Sequence, residues 1–220
     1  MSLVFPPLYA IIDAALLKTS ELSFAEMMAE SGVELLQYRN KSASSRELFE
    51  ASQSISAKLS RLAGAGPNKP RFIVNDRADI ARLVKAQGVH VGQQDLSVEE
   101  ARVIVGQGAW VGVSTHSLAQ LDAADKTSAD YIAFGPIFAT TSKENPDPVV
   151  GLDLLREARL HTRKTLVAIG GITLERVADT LRAGADSLAV ARDLIAFEHP
   201  AARARLFLQE AESARARGRD

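Results

Sequence analysis

The stretch LVAIGGITLERVADTLRAGADSLAVAR, residues 166–192, contains one complete strand–helix–strand pattern. Its two ends, LVAIG (166–170) and SLAVA (187–191), are short and almost wholly apolar, which is typical of strands buried on both faces. The segment between them has helical spacing; Thr173 resembles the start of a capping box, and Gly184 stands where the helix should end. The stretch therefore predicts a β/α unit of a parallel sheet.

The same pattern recurs along the whole chain. The other strand-like runs are LYAII (8–12), VELLQY (33–38), FIVN (72–75), VHVG (89–92), WVGVS (110–114) and YIAFG (131–135). Segments with helical spacing lie between the runs, and Ser97 followed by Glu100 marks a second capping box. Gly32 and Gly88 occupy the same expected position as Gly184, at the end of a helix.

Eight alternating strand–helix units predict an α/β fold, a single-domain (β/α)8 TIM barrel. An open doubly wound sheet alternates in a similar way, but no G-x-G-x-x-G motif follows the first strand, which weakens its dinucleotide-binding version. We expect residues 1–220 to form one domain, with the Arg-rich C-terminus as a last amphipathic helix and residues 214–220 as a frayed tail.

Composition excludes several classes of function. The net charge of −1 argues against a nucleic-acid binder that relies on a global basic field. The absence of cysteine excludes disulfides, Cys-zinc sites and thiol catalysis. The N-terminus MSLVFPPLYAIID has no basic region before its apolar run and predicts a first strand rather than a signal peptide. No apolar run is long enough to span a membrane, so we expect a cytoplasmic protein without a membrane partner.

Polar residues follow the predicted strands, at the barrel face where TIM-barrel active sites are built. These candidate site residues are Gln37, Arg39, Lys41, Asn75, Asp76, Asp95, Ser114, Thr140, Ser142, Lys143, Gly171, Ala191 and Arg192. They include fixed cations and a pair of carboxylates, and they form a ring if the barrel closes. The ring therefore predicts a site for an anionic ligand.

Asp76 and Asp95 end adjacent predicted strands, which lie about 4.8 Å apart in an ordinary sheet. Two carboxylates together with substrate phosphates commonly hold Mg²⁺. A metal flanked by Lys and Arg suits a pyrophosphate, whose charge grows as it leaves. Alternatively, each aspartate has only a structural role as a helix cap, Asp76 for the helix that begins near Arg77 and Asp95 just before Ser97.

Two other features of the ring have both a functional and a structural interpretation. Gly170-Gly171 can let backbone N–H groups approach a phosphate, or can simply form a tight turn. His116 follows a strand and can be a general base or a hydrogen-bonded structural residue. His90 lies within its strand and is expected to pack in the barrel, and Trp110 is expected in the core.

Seven sequence blocks at the strand ends resemble one known family. They are QYRNK (37–41), VNDRADIA (74–81), GVHVGQQDL (88–96), GVSTHS (112–117), FGPIFATTSK (134–143), VAIGGIT (167–173) and GADSLAVAR (184–192). In order and spacing they resemble thiamine-phosphate synthase, in the superfamily that also contains the thiazole tautomerases. That family joins a hydroxymethylpyrimidine diphosphate to a thiazole phosphate with Mg²⁺, giving thiamine phosphate and pyrophosphate.

The resemblance implies a role for each candidate residue. The pyrimidine diphosphate would be held by Gln37, Arg39, Lys41 and Asn75. Mg²⁺ would be bound by Asp76 and Asp95. The departing pyrophosphate would be contacted by Ser114 and Lys143, so that the catalytic set is Lys143, Arg39, Lys41 and Ser114. The thiazole substrate would be bound by Thr140, Ser142, Gly171, Ala191 and Arg192.

The chain departs from the family pattern at three places. Ala139 stands where proline is usual, and Ser142 replaces a usual threonine while keeping the hydroxyl. Ala191-Arg192 stands where a small residue followed by serine usually helps to bind the thiazole phosphate. Arginine at that position can pair with the phosphate or fill the pocket.

Two other functions are compatible with the sequence. A thiazole tautomerase uses the same scaffold with a histidine base and needs no pyrophosphate site; the retained cations and acids argue against it. A non-catalytic phosphate binder would not require the carboxylate pair. A homodimer is compatible with the sequence, which does not reveal the oligomeric state.

Overall fold

The computed structural model describes residues 5–62, 69–140 and 147–217. Within these ranges eight parallel strands close into a barrel in sequence order, and β8 pairs with β1. The strands are β1 (Leu8–Asp13), β2 (Leu35–Arg39), β3 (Arg71–Asn75), β4 (Gly88–Val91), β5 (Trp110–Thr115), β6 (Tyr131–Phe134), β7 (Thr165–Ile169) and β8 (Ser187–Val190). The predicted (β/α)8 barrel is confirmed, and every predicted strand overlaps an observed one.

Helices follow the strands and surround the barrel. They are α1 (Glu21–Glu30), α2 (Ser45–Leu62), α3 (Ala78–Leu83), α4 (Val98–Val105), α5 (Leu118–Asp125), α6 (Gly151–His161), α7 (Val177–Arg182), α8 (Arg192–Ile195) and α9 (Pro200–Arg217). Helix α9 is continuous to Arg217, so the described part of the predicted frayed tail is helical. None of the helices in the described ranges combines the length and apolar character needed to cross a bilayer.

The local signals at helix ends were partly right. Ser97 forms the predicted capping box with Glu100 at the start of α4. Thr173 makes no side-chain cap hydrogen bond, and the residue three positions on is Arg176, which lacks the carboxylate that completes a capping box. Gly88 was also assigned wrongly: it is the first residue of β4, and Lys85 adopts the left-handed conformation after α3 with φ 54°.

Two apolar layers result from the alternation of side chains along the strands. One layer fills the space between the barrel and the helices. The other closes the interior of the barrel beneath the site, and consists of Phe5, Tyr9, Ile11, Leu35, Ile73, Trp110, Tyr131, Ala133, Val167 and Ala189. Trp110 stacks on Phe5 with ring centroids 5.2 Å apart, which confirms its predicted core position. The interior is therefore a packed floor under the strand ends.

Candidate active site

A cavity of about 1060 Å³ opens at the carboxyl ends of the strands. It is lined by every predicted site residue that the structure describes, namely Gln37, Arg39, Lys41, Asn75, Asp76, Asp95, Ser114, Thr140, Gly171, Ala191 and Arg192. The predicted Ser142 and Lys143 lie outside the described residues. Residues scattered over most of the chain thus share one cavity because parallel strands in a closed barrel all end at the same face.

Asp76 and Asp95 face each other across the ends of β3 and β4. Burial raises the pKa of Asp76, the Lys41 ammonium opposes that rise, and the neighbouring Asp95 carboxylate adds to it. Lys41 Nζ lies 2.8 Å from Asp76 Oδ2, and Asp95 Oδ2 accepts a hydrogen bond of 2.8 Å from the backbone N–H of Gly92. The pair is a concentration of negative charge that one lysine offsets in part.

Neither aspartate serves as a helix cap. Helix α3 has Arg77 at its N-cap position with no side-chain cap hydrogen bond, and α4 is capped by Ser97. Asp76 has φ 62°, a left-handed conformation that few residues other than glycine adopt. Its backbone N–H donates to the carbonyl of His90 at 2.7 Å, which holds this turn and directs the carboxylate into the cavity. Unusual backbone of this kind is concentrated at functional sites.

No cluster of three or more His, Cys, Asp or Glu side chains able to hold a metal occurs within residues 5–62, 69–140 and 147–217. Among the described residues, Asp76 and Asp95 thus form a pair of carboxylates without a third acidic or histidine side chain in a metal-binding cluster. Mg²⁺ is commonly bound in this way, by one or two carboxylates together with substrate phosphates and water.

Arg39 is fixed by Asp13, a residue that the sequence analysis did not include in the site. Arg39 Nη1 lies 2.6 Å from Asp13 Oδ2, and Asp13 is buried at the end of β1. The alternation along β1 could have revealed it, because Tyr9, Ile11 and Asp13 all line the cavity. The ion pair orients the guanidinium before any ligand binds.

A line of hydrogen bonds, here called the buried chain, crosses the barrel floor from Gln37 through Tyr9, Tyr131 and His90 to Ser114. Gln37 Nε2 donates to the Tyr9 hydroxyl at 2.7 Å, and the two phenol oxygens are 2.9 Å apart. His90 contacts Tyr131 through Nδ1 at 3.1 Å and Ser114 Oγ through Nε2 at 2.8 Å. Burial raises the pKa of both tyrosines well above the usual range, so both remain neutral phenols. The predicted packing of His90 inside the barrel is confirmed.

His116 lines the cavity, but its ring nitrogens contact protein groups. Nδ1 lies 2.6 Å from the carbonyl oxygen of Gly135, and Nε2 lies 3.4 Å from Asp147 Oδ2. Its backbone N–H donates to Gln120 at 2.7 Å. These contacts match the structural interpretation of His116, which ties the loop after β5 to the loop after β6.

The loops after β7 and β8 bring backbone and arginine to the cavity. Gly171 has φ 62°, and a Cβ there would lie 2.4 Å from the carbonyl oxygen of Ala139, so this approach requires glycine. Arg176 was not predicted: it lines the cavity, donates to the Gly171 carbonyl at 2.5 Å and stacks over Phe138 at 4.3 Å. Arg192 lines the cavity as the exposed first residue of α8.

Comparison with known proteins gives a consistent result. The profile of a family described as thiamine monophosphate synthase matches residues 8–194. A thiamine-phosphate synthase from Koribacter versatilis is 49% identical over 212 residues, covering 94% of this chain and 96% of the relative. Another from Chloroflexus aurantiacus is 42% identical over 199 residues, covering 90% and 89%. Among solved structures, a thiamine phosphate pyrophosphorylase from Pyrococcus furiosus matches with a TM-score of 0.83 and 29% identity over 94% of this chain and 96% of that one.

Proposed function

Because the chain belongs to the thiamine monophosphate synthase family, we propose that it is itself a thiamine-phosphate synthase, a transferase. It joins 4-amino-2-methyl-5-hydroxymethylpyrimidine diphosphate to a thiazole phosphate and releases pyrophosphate. The observation that carries this proposal is the joining of Asp76, Asp95, Lys41 and Arg39 in one cavity. Such a set suits the departure of an anionic leaving group, which requires charge neutralisation rather than a side-chain nucleophile.

Asp76 and Asp95 are proposed to hold Mg²⁺. Their facing carboxylates fit an ion that takes its other ligands from diphosphate and water. When bound, the ion neutralises charge on the leaving oxygens. Lys41 stands beside Asp76 and is within reach of the same anion.

The other residues near β2–β5 orient and neutralise the pyrimidine diphosphate. Arg39, oriented by Asp13, offers a fixed fork of donors to the phosphates. Gln37 and Asn75 are proposed to contact the pyrimidine, and Ser114 the pyrophosphate. Lys143 is proposed to neutralise the pyrophosphate as it leaves. The methylene carbon then carries positive charge, which the thiazole nitrogen captures.

The β6–β8 side of the cavity is proposed to bind the thiazole phosphate. Backbone N–H groups around Gly171 can approach an anion closely, and Arg192 adds a cation. Thr140 and Ser142 are proposed to supply hydroxyl groups, and the small side chain of Ala191 lines the same cavity as Thr140. In this proposal the thiazole lies across the cavity from the carboxylate pair.

The proposal is tested by measuring whether the purified protein forms the two products. Purified protein is incubated with both substrates, with and without Mg²⁺, and thiamine phosphate and pyrophosphate are quantified. We expect both products in equal amounts, and we expect EDTA to abolish them and added Mg²⁺ to restore them. Folded protein that binds either substrate but forms no product would contradict the proposal and favour a tautomerase or a binder.

Two further expectations, on location and on assembly, belong to the same proposal. We infer a cytoplasmic location and an assembly that includes homodimers. Light scattering on the purified full chain measures the second expectation. A monomer at micromolar concentration would contradict it without affecting the proposed activity.

A further inference from the structure

The buried chain links two groups that line the cavity at separate places, Gln37 on β2 and Ser114 on β5. Its three inner members are not among the residues assigned to the substrates above. We propose that Tyr9, Tyr131 and His90 are positioning residues, which hold the two ends of the buried chain in matched hydrogen-bonding states. The inference rests on the proposed function for the identity of the ligands, whereas the state of the chain itself can be measured without turnover.

The orientation of the Gln37 amide sets the direction of the hydrogen bonds along the chain. A phenol has one proton and donates one hydrogen bond. Tyr9 accepts from Gln37 Nε2, so its own proton is directed to Tyr131. In the proposed direction Tyr131 in turn donates to Nδ1 of His90, which lies 3.1 Å from its hydroxyl oxygen.

The same order of donor and acceptor continues through His90 to Ser114. A neutral imidazole whose Nδ1 accepts a hydrogen bond carries its proton on Nε2. In the proposed direction His90 is neutral, and its Nε2–H donates to Ser114 Oγ, 2.8 Å away. The hydroxyl proton of Ser114 is consequently left to donate into the cavity, where a phosphate oxygen requires donors.

If every hydrogen bond in the buried chain ran the other way, Gln37 and Ser114 would present the opposite hydrogen-bonding groups to the cavity. With the Gln37 amide turned over, its oxygen would accept from Tyr9, each later bond would reverse, and Ser114 would donate its proton to His90. Ser114 would then present only lone pairs to an anion, which is unfavourable. An anion at Ser114 therefore favours the direction in which the amide oxygen of Gln37 remains available as an acceptor.

This coupling predicts which heterocycle is accepted. A ring that presents a hydrogen-bond donor, such as the 4-amino group, can pair with the amide oxygen of Gln37. A 4-oxo ring presents an acceptor to the same oxygen, and pairing it requires reversal of the whole chain. Sites that hydrogen-bond a specific substrate group discriminate strongly against an analogue that lacks it.

The packing of the barrel floor keeps the chain in place. A Cβ at Gly112 would lie 2.0 Å from Cζ of Tyr131, so glycine on β5 provides the space in which the Tyr131 ring crosses the barrel. The ring also stacks on His90 with centroids 5.5 Å apart, and both side chains are buried. Because water has little access, a broken link is not easily replaced.

The first measurement is the tautomer of His90, read by ¹⁵N NMR on the full chain labelled at its histidines, with pyrophosphate and Mg²⁺ as the probe ligand. A His90→Gln variant assigns the signal. We expect the Nε2–H tautomer in the wild type and a mixture of tautomers in Tyr131→Phe, where Nδ1 has lost its donor. The control is Tyr38→Phe, because Tyr38 is buried but its hydroxyl donates to Glu21, outside the buried chain.

The second measurement is the ratio of kcat/KM for the 4-amino and 4-oxo pyrimidine diphosphates. Tyr131→Phe should lower this ratio by about tenfold or more, since Gln37 is then free to turn; Tyr38→Phe should leave it unchanged within about twofold. Tyr9→Phe interrupts the chain at its other phenol and should act like Tyr131→Phe, which provides a second test if one variant folds poorly.

The outcomes separate the two proposals. An Nδ1–H tautomer in the wild type, or an unaltered tautomer and ratio in both chain variants, would overturn the inference. A wild-type protein that forms no thiamine phosphate would overturn the proposed function, and the tautomer result would still report on the chain.

Discussion

On the β1–β5 side of the cavity, carboxylates pair with the cations proposed to bind the ligand, whereas on the β6–β8 side Asp147 contacts His116 and Asp193 contacts Arg203. On the first side Asp13 pairs with Arg39, and Lys41 pairs with Asp76. On the second side the described contacts of Arg176 are a carbonyl and an aromatic ring, neither of which cancels its charge. This difference fits the proposal above, in which the first side takes a metal with its diphosphate and the second takes the phosphate of the other substrate.

The largest expected effect comes from the carboxylate pair. Asp76→Ala removes one of two proposed metal ligands and should lower kcat by about 10²–10³-fold, the usual cost of losing one electrostatic group at a reacting centre. Steady-state turnover at saturating Mg²⁺ measures the loss, with circular dichroism to confirm folding. The matched control is Asp79→Ala, because Asp79 is exposed and pairs with Arg77. Near-normal turnover in folded Asp76→Ala would remove this residue from the mechanism.

Lys143→Ala tests the proposed leaving-group role independently of the carboxylate pair. Its ammonium is proposed to neutralise the departing pyrophosphate, so kcat should fall by about 10²-fold while the KM for the thiazole phosphate changes little. Lys143→Arg keeps the charge and should recover part of the rate. A change confined to KM would instead assign Lys143 to ground-state binding.

A smaller effect is expected at Arg192, where the family usually has serine. Arg192 is exposed at the start of α8 and lines the cavity, which places its charge within reach of an anion without filling the floor. Arg192→Ser should therefore raise the KM for the thiazole phosphate by about tenfold, the value of one charge-assisted hydrogen bond. The KM for the pyrimidine diphosphate is the internal control. A lower KM for the thiazole phosphate would show that arginine obstructs the pocket.

The fold could be predicted from sequence because its signals are local and repeated. Each strand is a short apolar run, and each run overlaps the observed strand. Errors occurred where a single residue was used as a helix-end signal. Gly88 is required for another reason: a Cβ there would lie 2.4 Å from the carbonyl oxygen of Trp110. Lys85 ends the preceding turn instead.

The sequence indicated the cavity-lining residues whose position depends only on where a strand ends. It missed residues whose position depends on contacts across the barrel. Asp13 was overlooked because it ends a strand assigned from its apolar character, although its alternation with Tyr9 places it inward. The bond between Tyr9 and Tyr131 joins residues 122 positions apart on strands that are not neighbours. Such a contact depends on barrel closure and side-chain length, which no local pattern encodes.

The smallest expected effect concerns the stability of the fold. It compares a serine hydroxyl on β5 with one on β8. On β5 the Ser114 hydroxyl is bonded by His90, whereas on β8 the buried Ser187 hydroxyl has no hydrogen-bond partner among the described residues. Removing an unsatisfied buried hydroxyl should stabilise, so Ser187→Ala should raise the free energy of unfolding by about 1 kcal/mol.

Urea unfolding measures this change, and Ser56→Ala is the matched control. Ser56 is also buried, but its hydroxyl donates to the carbonyl of Val84 at 2.8 Å. Alanine there leaves that carbonyl unpaired and should destabilise by about 1 kcal/mol. Turnover should be unchanged in Ser187→Ala, because the hydroxyl is buried and is not among the residues that line the cavity. Equal destabilisation of both variants would mean that the Ser187 hydroxyl is satisfied in solution, and that the two sides of the floor do not differ in this respect.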